Sequence, residues 1–309
     1  MKTPNLIDGL KHIETSLRPE KIDMCLESYT RLRKEGKGKE DSPLLFLHSL
    51  YSAKTLYSWF HDGDLQQAKK YAYIAGRLRV IYSRYNPLRV GDCADSYLFY
   101  PLLSDSRELI HWEKQYFVPL VGDNRKNPSY LNVNSYDFRS LQFRLALAGS
   151  WDLLVPRAEK FLGEPHRKFK SYTVENEFYL ALASQDEEAM RNVFLTLTSP
   201  RYMQMRNREP QWGYEKRLVA AHSFMLIKLA RIHGFDIAVD TPWIPNEWLL
   251  EKPLKNYIFP IDCLQEFNIF DKFDSRNSCL DLPKLTPRPL GEPPLTFAEA
   301  VRLSRNESG

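Results

Sequence analysis

Apolar residues recur along this chain at helical rather than strand spacing. Ile22, Cys25, Leu26, Tyr29 and Leu32 fall at i, i+3, i+4 and i+7 intervals, one stripe of a helix, and Gly36 supplies a stop. The charged run from Lys34 to Asp41 reads as a solvated loop. Pro43 suits the first turn of the next helix, which runs to about Phe60 with Leu44, Leu47, Leu50 and Tyr51 inward. Asp62-Gly63-Asp64 breaks it. A helix from Leu65 to about Tyr85 follows, and Asn86-Pro87 ends it, because proline disfavours helical geometry in the residue before it. These two helices form an antiparallel pair joined by a tight turn.

The unit recurs. Asn134 or Ser135 caps a helix with Phe138, Leu141, Leu145 and Ala148 inward, stopped by Gly149. Asp152 to Leu162 follows, and then a pair made by Glu175 to Ala183 and Asp186 to Leu197. In each connector, Asp62-Gly63-Asp64, Gly149-Ser150-Trp151-Asp152 and Ser184-Gln185-Asp186, an aspartate stands ready to cap the second helix. Their spacing is unequal, so no strict repeat is present. A polar connector spans Tyr202 to Gly213, and a long helix is predicted from about Trp212 to His233, with Gly234 as its left-handed terminator. Phe235 to Asp240 alternates, as one strand or an extended strap. Pro245 opens a short helix through Leu250.

The expected fold is therefore all-α: an irregular array of antiparallel helical hairpins, stacked somewhat like tetratricopeptide repeats, with a short strap near 235–240. No linker interrupts residues 20–270, so residues 1–270 are read as one domain. Residues 271–309 are read as an extended proline-rich tail with Pro283, Pro287, Pro289, Pro293 and Pro294, in which Thr296 and Glu299 fit the capping box of a short terminal helix.

Composition narrows the classes without choosing one. Basic residues number 43 and acidic ones 39, a formal net charge of +4 that does not by itself imply nucleic acid. Four cysteines in 309 residues exclude a disulfide scaffold, and 13 glycines argue against a glycine-rich cofactor fold. No stretch is apolar for long enough to span a membrane, and the first residues lack a signal-peptide core, so a cytoplasmic protein with reduced thiols is expected.

Enzyme signatures are absent. There is no GxSxG, GxxxxGK[ST], GxGxxG or HExxH, and no two histidines stand four apart. Gly36-Lys37-Gly38-Lys39 lacks the strand and the Lys-Ser/Thr ending of a phosphate loop. Asp62/Asp64 and Glu187/Glu188 stand at helix starts, where capping explains them. Acidic neighbours Asp92 and Asp95 disfavour Cys93 as a nucleophile. His222 reads as a core histidine. No catalytic residue, cofactor or metal is expected.

One stretch is unbalanced. From Arg201 to Arg231 the basic residues are Arg201, Arg206, Arg208, Lys216, Arg217, Lys228 and Arg231, against Glu209 and Glu215 alone. A solvated helix face gives that pattern, and so does a positive surface for an acidic protein or RNA.

The run His233-Gly234-Phe235 to Leu249-Leu250, containing Asp240-Thr241-Pro242 and Ile244-Pro245-Asn246-Glu247-Trp248-Leu249, resembles the immunity protein 49 family, encoded beside bacterial polymorphic toxins. Phe178-Tyr179, Asp186 through Met190 and Ser199-Pro200 are similar in kind, and the likeness spans roughly residues 50–260. The resemblance implies stoichiometric inhibition of a cognate toxin encoded by the adjacent gene and acting in the cytoplasm, with no membrane or nucleic-acid partner. If the toxin's surface is acidic, Arg201, Arg206, Arg208 and Arg217 are the expected anchors. Asp240, Pro242, Trp243, Pro245, Glu247 and Trp248 read as a clamp: Asp240 fixes a turn, the prolines stiffen the strap, and the tryptophans pin it. A peptide-binding helical adaptor and an RNA-binding protein using residues 201–231 are the alternatives.

Overall fold

The computed structural model describes residues 4–17, 20–35, 41–85, 96–115, 132–163, 167–209, 212–265 and 267–270. The expected stops at Gly36 and Asn86-Pro87, Cys93, Cys279 and the proline-rich tail lie outside these residues. Helices α1 (Leu6–Glu14), α2 (Glu20–Glu35), α3 (Asp41–Phe60) and α4 (Leu65–Tyr85) open the chain. α5 (Phe99–Ser104) and α6 (Arg107–Gln115) come next, then α7 (Tyr136–Ala148), α8 (Trp151–Gly163), α9 (Thr173–Ala183) and α10 (Glu187–Leu197). The described chain ends with α11 (Pro200–Asn207), α12 (Ala221–Ile232), α13 (Asn246–Leu249) and α14 (Asp262–Gln265). Among the described residues there is no strand, and the array of hairpins is as expected.

The hairpin α3–α4 packs along most of its length, and α7 through α10 pack in sequence. Their turns are made by the residues the pattern singled out. Asp64 accepts the Gln67 amide at 2.9 Å, Ser135 that of Phe138 at 3.0 Å, and Asp186 that of Ala189 at 2.9 Å. Gly149 ends α7 at φ +70°, the left-handed region that glycine enters without strain. Asp152 is a correction: Ser150 takes the cap position, its carbonyl accepting the Leu154 amide at 3.0 Å, so Asp152 lies within the first turn of α8.

The long helix expected over 212–233 is also corrected. A 3₁₀ turn, Glu215–Arg217, replaces its first part, and α12 starts only at Ala221. Asn207 explains the break, because its Nδ2 donates to the carbonyls of Lys216 and Val219 and takes both as acceptors. The Ala220 amide goes to Trp243 O at 2.9 Å instead of into a helix. The expected polar connector after Tyr202 is in fact α11 through Asn207.

One apolar cluster runs from Ile13 to Ile269, joining every described helix of the array from both ends of the chain. Trp248 of α13 is sealed within it, with ring centroids 5.7 Å from Phe60, 6.0 Å from Trp59, 6.1 Å from Phe99 and 5.8 Å from Phe224. Past α13 the described chain is irregular apart from the single turn of α14, and it hangs on side chains of earlier helices. Lys69 donates to Lys252 O at 2.8 Å, Arg77 to Phe267 O at 2.7 Å and Trp112 to Ile269 O at 3.0 Å. No helix among the described residues is long and apolar enough to cross a membrane.

Candidate partner-binding surface

α11 has two unlike faces. Ser199 caps it, Pro200 opens it, and Tyr202, Met203, Arg206 and Asn207 turn inward. Arg201, Met205 and Arg208 turn outward. The seven basic residues of 201–231 therefore do not form one face.

Arg206 is the main correction, because it is buried and is not a surface anchor. Its Nε donates to Glu175 Oε1 at 2.7 Å, its Nη2 to Ser171 O at 2.8 Å, and its Nη1 to Glu209 Oε1 at 3.2 Å. Its guanidinium carbon stands 3.6 Å from the Tyr172 ring centroid and 4.5 Å from that of Tyr202. Arg139 lies 3.4 Å from the same Tyr172 centroid, and two guanidiniums this close must take opposite faces of the ring. His222 Nε2 lies 3.2 Å from Glu175 Oε1, so the histidine serves the core as expected. Burial pushes the Glu175 carboxyl up, but Arg206 and His222 overcome it and hold it well below the usual carboxylate range. Burial likewise opposes the Arg206 charge, and Glu175 with the flanking tyrosines outweighs it.

Lys228 is also internal. It and Lys69 both donate to the buried Asp105 carboxylate, which also accepts the Lys252 amide at 3.1 Å. Burial lowers the Lys228 ammonium, against the pull of Asp105. Arg231 pairs with Asp236 on the strap.

Both acidic residues of the stretch point inward. Glu209 receives Tyr172 Oη and Arg206, and Glu215 receives Tyr100 Oη and, at 3.0 Å, the Gly213 amide. Burial pushes the Glu215 carboxyl up, partly offset by Tyr100. What remains outside is Arg201, Arg208, Lys216 and Arg217. Arg217 also holds α1, donating to Asp8 O at 3.4 Å while its carbonyl accepts the Asn5 amide at 3.0 Å. Among the described residues no carboxylate pairs with Arg201, Arg208 or Lys216.

The strap residues divide in the same way. Trp243 and Trp248 are buried, and Pro245 precedes α13 as its cap. Pro242 and Glu247 are exposed. Asp240 is exposed and does not hold the turn; Thr241 does, its hydroxyl accepting the Trp243 amide at 3.4 Å.

The inward ion pairs of Asp105 and Glu175 had no signal in local spacing, since Lys69, Lys228 and Arg206 lie 36, 123 and 31 positions from the carboxylate each one meets. Among the described residues no group of three or more His, Cys, Asp or Glu stands where it could hold a metal. A groove of about 890 Å³ between α2 and residues 260–263 mixes Glu27 and Asp262 with Arg31 and Lys34, so it selects neither charge. No protein-family model matches this chain, and no curated protein or solved structure matches it.

Proposed function

We propose that this protein is an immunity protein: it binds a bacterial antagonistic toxin one to one and turns over nothing. The reading takes its partner class from the likeness of residues 233–250 to that family. The observation that carries it is the inward turn of Glu209 and Glu215, which leaves Arg201, Arg208, Lys216 and Arg217 outside. Basic side chains left exposed while the carboxylates of the same stretch are spent within suit capture of an acidic protein, where charge complementarity speeds encounter. Trp243 and Trp248 are buried in the core, which favours a preformed binding surface that needs little ordering on association.

Co-expression with the adjacent open reading frame in a heterologous host tests this. The neighbour alone should arrest growth, and the pair should grow and co-purify. Growth without a complex, or a harmless neighbour, contradicts it and leaves the helical adaptor as the reading.

A further inference from the structure

We propose that the outward row of α11, Arg201–Met205–Arg208, docks an acidic amphipathic helix of the protein partner. The protein class of the partner rests on the inhibitor reading above; the face and the chemistry it takes do not.

The row falls at i, i+4 and i+7, with Arg208 as the C-cap residue in helical conformation, so its members share one side of the helix and the Cα atoms of the two arginines are ~10 Å apart along the axis. Met205 lies between them, 37% exposed, and its flexible thioether adapts to an apolar partner side chain. A complementary helix would carry carboxylates at i and i+7 with an apolar residue between. Arg201 stands in the first turn of α11, where the positive end of the helix dipole disfavours a cation. Helix stability does not account for it there, whereas recognition does.

The mounting is rigid. On the opposite side of α11, Arg206 and Asn207 are tied by five hydrogen-bond acceptors on three other segments: Glu175 Oε1, Ser171 Oγ and O, and the Lys216 and Val219 carbonyls. The row is therefore presented in one orientation, which lowers the entropy lost on docking.

Single-stranded RNA is disfavoured by the aromatic residues of this stretch. Tyr202 and Trp212 are buried, and Tyr214 is held by Ser49 at 3.2 Å with its ring centroid 5.4 Å from that of His12. None of these rings is offered as a stacking platform for bases.

The test uses the full chain and three fluorescent probes at low salt: a helical peptide with glutamates at i and i+7 and leucine at i+4, its scrambled isomer, and an oligouridylate of equal charge. The variant R201E/R208E is compared with K70E/K255E, which makes the same change of net charge at exposed lysines elsewhere. The register peptide should bind more tightly than its scramble, and R201E/R208E should weaken it by at least about tenfold while K70E/K255E changes it by less than about twofold. Equal binding of the two peptides, equal loss in both variants, tighter binding of the oligouridylate, or no binding of the register peptide overturns the proposal. None of these readouts involves the toxin, so failure of the inhibitor reading registers separately, as loss of growth rescue with peptide binding intact.

Discussion

Glu175 Oε1 and Arg206 Nε meet at 2.7 Å with both side chains almost closed to water. That contact turns an arginine of a basic stretch into a core residue, and it separates α11 into a fixed inner face and a free outer one. Removing either partner leaves a buried charge without its nearest counter-charge, Arg206 keeping only Glu209 at 3.2 Å and Glu175 only His222 at 3.2 Å.

Glu175→Gln and Arg206→Ala should each destabilise the fold by about 3–5 kcal/mol at neutral pH, measured by urea unfolding. The wild-type contribution is also pH-dependent. Glu175 is held below its ordinary value of 4.5, so its stabilisation is complete above that value and falls as pH drops through the lower native value. The gap between wild type and Glu175→Gln should therefore narrow from about pH 5 to about pH 3. A gap that is constant across that range contradicts the assignment.

Asp105 faces two ammonium groups, from Lys69 and Lys228, with one carboxylate. Lys228→Met leaves one of each and keeps a chain of similar length, so it should cost less than about 1 kcal/mol or stabilise. Asp105→Ala strands both lysines and should cost more than about 3 kcal/mol. Chemical denaturation of the two variants decides it; a larger loss for Lys228→Met than for Asp105→Ala refutes the charge count.

Trp248 touches aromatic rings of α3, α5 and α12, so Trp248→Ala should lower stability by about 3–5 kcal/mol. Unchanged stability with loss of partner binding would mean that the strap is the contact surface and not a clamp.

Two glycines should resist alanine for different reasons. At Gly149 a Cβ would meet nothing closer than 3.9 Å, so Gly149→Ala should cost only the left-handed conformation, about 1–2 kcal/mol. At Gly76 a Cβ would stand 2.9 Å from Leu109 and 3.1 Å from Pro101, so Gly76→Ala should cost about 1–3 kcal/mol through overpacking. Calorimetric melts of the two variants, with Leu109→Ala added to each, separate the causes: relief of Gly76→Ala alone is expected.

The helices were legible because their apolar periodicity and caps are local: Ser135, Gly149 and Asp186 each act within a few residues of where they stand. The break before α12 was not, because it depends on Asn207 and Trp243, which reach Lys216, Val219 and Ala220 through the fold. The same reason hid the fate of the basic stretch. Nothing in the spacing of Arg201, Arg206 and Arg208 says that the middle one has a carboxylate waiting on α9. The tryptophans of the strap were legible by size, since rings that large seldom stand outside unless function requires it.

Titration of the toxin's activity with this protein tests stoichiometric inhibition most directly. At toxin concentrations well above the dissociation constant, activity should fall in a straight line and reach zero at about one equivalent, with the complex recovered intact. Loss of activity at a small fraction of an equivalent would reveal turnover, and activity unmoved by excess protein would remove direct inhibition; either result contradicts the account.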